Sequence, residues 1–201
     1  MIRSPFRNAK PKLRKCKVCP TRFESKSMAH VVCSPACTIA LADMKRLKAA
    51  AKREQEERAK TRVQKEALKS RSQWIKEAQH AFNAFIRERD HISGYGCISS
   101  NKPLDWSGNG VDAGHYRSVG SATHLRFDER NCHAQSKHDN NYLSGNAVDY
   151  RIGLIKRIGL EAVESLESDN TVRKYTIDDL KAIKATYKAK LKQLLADKEV
   201  A

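Results

Sequence analysis

Large apolar side chains are scarce in this chain: only 6% of its 201 residues are aromatic, while 31% are charged. That balance excludes one large core and predicts several small units, because a chain of this length needs bulky side chains to bury most of its surface. No run approaches the ~20 apolar residues of a spanning helix, and the N-terminus lacks the apolar segment of a signal peptide. A soluble, intracellular protein is therefore expected, in whose reducing surroundings the six cysteines read as metal ligands or free thiols and not as disulfides. Acids are in short supply as well. There are 23 Asp/Glu against 39 Lys/Arg, a formal net charge of +16, and residues 1–90 carry +14 of it through 23 Lys/Arg against 9 Asp/Glu. Cations that neutralise phosphates release condensed counterions, so a surplus of this size selects a polyanionic partner. Nucleic acid is expected, and not a membrane.

Proline and glycine are missing from Thr38 to Arg89, where Ala, Lys, Arg, Glu and Gln dominate. One long helix or two in series follow. Apolar positions at Ile39, Leu41, Met44 and Leu47, and again from Val63, Ala67 and Leu68 through Trp74, Ile75, Ala78, Phe82, Phe85 and Ile86, predict ends that pack around a solvated middle. That middle is either a charged spacer or a basic helix laid along phosphates or paired with a second subunit. Residues 1–15, MIRSPFRNAKPKLRK, hold two prolines, six basic residues and no acid and read as a flexible basic arm. Beyond residue 150 the pattern predicts two packing helices. One covers Ile152–Glu167, and the other opens at Thr176, with Asp179 three residues beyond that cap.

Residues 16–37 read CKVCPTRFESKSMAHVVCSPAC, a C-x2-C pair and a C-x3-C pair thirteen residues apart. Such pairs place four thiolates around one zinc, and a segment with so few large apolar side chains needs that staple to fold. Cys16, Cys19, Cys33 and Cys37 would fill the coordination shell, which makes the role structural and not catalytic.

Residues 91–150 change character, with seven of the nine glycines and five of the seven histidines, a composition suited to turns, short strands and a site. Within VDAGHYRSVGSATHLRFDERNCHAQSKHDNNYLSGN, Asn131 follows His115 by sixteen residues and Asn140 follows nine later. Phosphodiester hydrolysis needs a base, an orienting group and a hard cation. His115 titrates near neutrality, the Asn131 amide can orient loop or ring, and Asn140 offers a carbonyl oxygen suited to Mg2+.

The order AGHY, RN and then N nine residues on resembles the HNH (ββα-metal) nuclease superfamily. The whole layout, with its four-cysteine module, charged helix, DAGHYRS, RFDERN and NNYLSGN, resembles the NinG family of lambdoid phage recombination proteins, also called Rap. The resemblance covers essentially the full chain. It implies an α+β protein: basic arm (1–15), zinc module (16–37), long helical region (38–90), HNH-like core (91–150) and C-terminal helices (151–201). It implies a Mg2+- or Mn2+-dependent endonuclease cutting branched DNA, such as D-loops and Holliday junctions, in the host cytoplasm, with recombination proteins as partners. His115 would be the base, Asn131 the residue positioning it and Asn140 the metal ligand. Two cuts on a four-way junction suit a homodimer.

Two features depart from the superfamily. Gly114 stands where many of its members carry a metal-binding Asp, and the nearest acid, Asp112, would reach the metal only through a bulge at Gly114, since positions three apart on a strand face opposite ways. The cysteine pairs that brace such cores are replaced by Cys97 with Ser100 and Ser136 with Asp139, which leaves the core to apolar packing by Leu125, Phe127, Tyr142 and the C-terminal helices. Arg117, Arg126 and Arg130 flank the site as phosphate contacts. His133, His138 and Asp139 read as plain polar residues in preference to metal or phosphate contacts, Trp74 and Trp106 as packing or loop anchors in preference to platforms for exposed bases, and Cys132 as a packed thiol. Two other classes share these residues. A junction-binding protein that does not cut is favoured by Gly114, and an adaptor could use its basic helix to bind RNA or an acidic protein.

Overall fold

The computed structural model describes residues 13–200; most of the expected basic arm lies outside them. The chain divides into two compact units, Met1–Leu68 and Lys69–Ala201. Among the described residues no helix is long and apolar enough to cross a membrane.

In the first unit β1 (Leu13–Lys15) and β2 (Arg22–Glu24) pair antiparallel, Arg14 opposite Phe23. The Arg14 guanidinium reaches out of this ribbon to donate to the Met28 carbonyl at 2.9 Å, gathering the loop that follows. α1 (Pro35–Ala67) begins where Ser34 Oγ accepts from the Cys37 N–H, with Pro35 at the first helical position, a combination that satisfies one orphan donor and wastes none. Thirty-three residues run without a break, and none is buried. The packing expected of the first apolar positions does not occur: Ile39, Met44, Leu47, Val63 and Leu68 are all more than half exposed, and only the positions from Trp74 onward pack. Their spacing is cut by lysines and arginines, so no apolar stripe forms for a neighbour to cover. Helix propensity and pairs such as Arg58–Glu54 and Lys60–Glu57 hold α1 instead.

The helical region is two helices. α2 (Arg71–Ile92) opens at Ser70 with a reciprocal capping box: Ser70 Oγ accepts from the Gln73 N–H, and Gln73 Oε1 accepts from the Ser70 N–H. This S-x-x-Q capping box is what starts a new helix there. α2 buries Trp74, Ala78, Phe82, Phe85 and Ile86. They meet α5 (Ile177–Val200) through Tyr187 and Leu180, in a cluster that also takes in Phe127, Ala113 and Cys132. α5 starts at the expected cap, Thr176 and Asp179 bonding each other's N–H groups.

β3 (Val111–His115) and β4 (Cys132–Ser136) form an antiparallel hairpin in unbroken register, Val111 opposite Ser136 through His115 opposite Cys132. A wide turn of helix, His138–Tyr142, follows, then α3 (Ala147–Ile158) and α4 (Leu160–Ser168). The sequence pattern suggested one helix here. Gly159, at φ +88°, interrupts it in a region that other residues rarely enter. Tyr150, Leu154, Val163 and Leu166 form a second apolar cluster with Ile98 and Leu125. Leu125 and Phe127 are buried as expected, but Tyr142 is 79% exposed, because the wide turn carries its ring outward beside His138.

Asp90 locks these layers together. Fully buried, it accepts from the Ala134 N–H at 2.7 Å, from its neighbour Arg89 at 2.8 Å and from Arg157 at 3.3 Å, so α2, β4 and α3 share one charge. Burial raises its carboxyl pKa, but His133, Arg89 and the Ala134 N–H outweigh that and bring it down to about 2. A depressed carboxyl contributes stability above its unfolded pKa and loses it as pH falls through the folded value. Asp90→Asn should therefore lower unfolding free energy by about 3–5 kcal/mol at pH 7, since Arg89 and Arg157 lose the carboxylate they share. The penalty should shrink between about pH 4 and pH 2, which urea titrations across that range would show.

Candidate functional site

The four N-terminal thiols converge. Cys19 and Cys33 Sγ lie 3.5 Å apart, Cys33 and Cys37 3.7 Å, Cys37 and Cys19 3.8 Å, and all four ligand atoms sit within 4.8 Å of one another. A tetrahedral zinc with bonds of about 2.3 Å needs sulfurs about 3.8 Å apart, so the cluster fits that ion. Local structure sets it up. Cys16 and Cys19 lie on the turn between β1 and β2, and Cys37 sits in the first turn of α1, whose N-terminal dipole favours thiolates. Burial raises the Cys16 thiol pKa, but the backbone N–H groups of Cys19, Val18 and Cys33 bring it to about 6, while the crowding of Cys19 and Cys37, together with burial, pushes the Cys33 thiol up to about 12.

In the second unit the hairpin register sorts the predicted residues onto two faces. Side chains alternate along a strand, and directly opposed residues share a face. Val111, Ala113 and His115 therefore lie with Ser136, Ala134 and Cys132 toward α2, while Asp112 and Gly114 lie with Gln135 and His133 on the other side. His115 is half-buried, its ring 6.0 Å from that of Phe82. Its Nε2 donates to the Arg126 carbonyl at 3.0 Å, and its Nδ1 faces the Cys132 thiol at 3.6 Å. The carbonyl fixes the tautomer and leaves Nδ1 as the lone-pair nitrogen. Burial lowers the ring's pKa, so it is neutral at pH 7.

Asn131 is fully buried and does not touch the His115 ring. Its Oδ1 accepts from the Arg117 N–H at 2.8 Å, and its Nδ2 donates to the carbonyls of Arg117 at 3.0 Å and Leu125 at 3.2 Å. It clamps the loop between the strands and so presents the Arg126 carbonyl to His115. Asn140 lies on the far side, its Nδ2 donating to Asp112 Oδ2 at 3.0 Å, with Asn141 Nδ2 reaching the same oxygen at 3.4 Å. No hydrogen bond joins His115 to Asn140 among the described residues. The register carries no bulge at Gly114. Asp112 meets Asn140 without one, because the turn after β4 folds back over its face. Asp112, Asn140 and Asn141 supply the oxygen donors that a hard divalent cation takes. The amides now turn nitrogen toward the carboxylate, and a flip of each would present oxygen.

Each of the three flanking arginines hydrogen-bonds protein groups. Arg117 donates to the carbonyls of Leu166 and Asp169 at the end of α4. Arg126 binds Gln79 and the Val119 carbonyl, and Arg130 chelates Asp128, its guanidinium still half exposed. His133 is buried in the Asp90 network, His138 is exposed, Trp74 is buried, Trp106 stacks on His91 at 4.5 Å and Cys132 is a fully buried thiol. Asp139 does more than expected: its Oδ2 accepts from Cys97 Sγ at 3.0 Å, Ser100 Oγ at 3.0 Å and Ser136 Oγ at 2.7 Å. The four positions singled out as substituted zinc ligands thus converge on one carboxylate. Sequence reasoning missed Asn141, although it adjoins Asn140, and the roles of the Arg126 carbonyl and of Gln135, which need the strand register to be seen.

A four-thiol cluster in one unit and a small hairpin wrapped by helices in the other define a mixed helical protein with four cysteines placed so that they could hold a metal. The family model described as "Bacteriophage Lambda NinG protein" matches residues 8–199. Protein ninG of Escherichia phage lambda is 44% identical over 204 residues, covering 92% of this chain and 95% of that one. Protein ninG of Escherichia phage 933W is 44% identical over 202 residues, covering 92% and 96%, and that of Salmonella phage P22 is 44% identical over 204 residues with the same coverage. No solved structure matches the chain. The chain belongs to the NinG family.

Elemental analysis of purified protein should find about one zinc per chain, as one closed four-thiolate site requires, and Cys16→Ser should release it. Zinc retained by Cys16→Ser and Cys33→Ser together would move the site elsewhere.

Proposed function

We propose that this protein is a divalent-metal-dependent, structure-specific endonuclease with an HNH-like core, cutting branched DNA in phage recombination. The observation that carries the reading is His115: a neutral imidazole, one N–H tied to a backbone carbonyl, on the strand whose opposite face gathers Asp112, Asn140 and Asn141. A base with a fixed tautomer and an oxygen-donor cluster carried by the same strand are the two components that phosphodiester hydrolysis requires. His115 Nδ1 takes a proton from water as its oxygen attacks phosphorus, and the bond to the 3′ oxygen breaks. Bound at Asp112 and Asn140, Mg2+ or Mn2+ would stabilise charge on the phosphate and the departing oxygen. Asn131 acts through the loop, holding the carbonyl that orients the base. The excess Lys/Arg of residues 1–90 supplies phosphate affinity without reading sequence.

A junction-binding protein that does not cut is the second reading. It is favoured by the Cys132 thiol against His115 Nδ1 and by the missing acid at Gly114. Labelled linear, forked and four-way DNA incubated with Mg2+ or Mn2+, with and without chelator, decides between them: metal-dependent nicking at the branch supports the enzyme, and binding alone supports the second reading.

His115→Ala should abolish nicking while junction affinity stays within a few fold. Full activity in that variant would sink the mechanism. Binding should weaken steeply with salt, each phosphate contact adding about 0.9 to the log-log slope on duplex DNA; a slope near zero would remove phosphate contact as the source of affinity.

A further inference from the structure

Gln135 holds a side-chain oxygen that the fold leaves without a partner. The residue is fully buried in the middle of β4, and its Oε1 is the buried side-chain acceptor for which no hydrogen bond is found among the described residues. A buried amide oxygen left unpaired costs about 1–3 kcal/mol. An amide flip does not relieve it, because Nε2 donates at 2.7 Å to the Gly145 carbonyl, which can only accept, and lies 2.6 Å from Ser99 Oγ. The oxygen is therefore held where it is by the bonds of its own nitrogen.

Where it is held is informative. Gln135 stands directly opposite Asp112, on the face that carries the Asn140 and Asn141 amides. Its oxygen occupies the space a side chain at position 114 would need: a Cβ built on Gly114 would lie 2.1 Å from Oε1. Gly114 is thus required so that an oxygen from the neighbouring strand can take that place, one residue from His115 and two residues nearer to it than Asp112.

We propose that Gln135 Oε1 is a ligand of the divalent cation, supplying from β4 the second protein oxygen that strand β3 does not supply beside His115. The inference rests on the nuclease reading above. One carboxylate with neutral amide oxygens makes a weakly charged set of the hard oxygen donors that Mg2+ and Mn2+ take, and it explains why a buried acceptor is kept unpaired at this point.

The test is Mn2+ binding to the zinc-loaded full chain, followed by the electron paramagnetic resonance signal of free Mn2+, without DNA or turnover. Gln135→Met keeps the shape and removes the oxygen; its Mn2+ affinity should fall by about tenfold or more, with its melting temperature in chelator reported alongside. Gln135→Glu supplies a charged oxygen at the same place and should bind Mn2+ more tightly than the parent, a result that a merely structural glutamine does not give. If Gln135→Met fails to fold, Gln135→Glu decides alone. Parent-like affinity in Gln135→Met, or unchanged or weaker affinity in Gln135→Glu, would overturn the proposal while leaving Asp112 and Asn140 as ligands. Absence of Mn2+ binding by the parent would overturn the metal-dependent reading itself.

Discussion

The unbroken pairing of two five-residue strands, Val111–His115 with Cys132–Ser136, is the constraint on which the second unit depends. A slip of one residue would send every side chain to the wrong face. His115 would leave Phe82, and Asp112 would leave Asn140. The unpartnered amide of Gln135 would no longer lie over Gly114. Three buried polar groups hold that register. Asn131 closes the loop at one end, Asp90 bonds the Ala134 N–H in the middle, and Asp139 ties the other end to the Cys97–Ser100 turn. Each accepts or donates several times, which is what makes a buried polar group stabilising instead of costly.

This use of polar knots follows from composition. With 6% aromatic residues the hairpin cannot be fixed by packing alone, and its apolar neighbours divide into two modest clusters on either side. The first unit meets the same shortage differently, through four thiols placed for one metal, and continues into a helix that buries nothing. Both devices tie short strands and turns together where few large side chains are available.

The cysteine module was legible because its ligands fall in two short pairs whose spacing is itself the geometry. The cap at Thr176 was legible for the same local reason, and so was the α+β layout with a helix-rich tail. What escaped was decided by distant contacts. Arg117, Arg126 and Arg130 look like free cations in a basic sequence, yet each finds carbonyls or an acid that only the fold brings near. The apolar residues of α1 look like a packing face until the helix proves to have no continuous stripe. Asp112 and His115 do face opposite ways, and the contact of Asp112 with Asn140 is one that the strand alone does not show, because it depends on the turn after β4. Gln135 carried no sequence signal at all: its meaning depends on standing across from Asp112 and on the absence of a side chain at Gly114.

The central claim is that the face of the hairpin bearing Asp112 binds a divalent cation on the strand that also carries His115. Paramagnetic broadening of backbone amide signals by substoichiometric Mn2+, recorded on zinc-loaded protein, tests it most directly, since the effect falls off steeply with distance from the ion. The account predicts that Asp112, Gly114, Gln135 and Asn140 lose signal first, His115 shortly after, and that the signals of α5 are spared. Broadening confined to exposed acids elsewhere, with the hairpin unaffected, would contradict it.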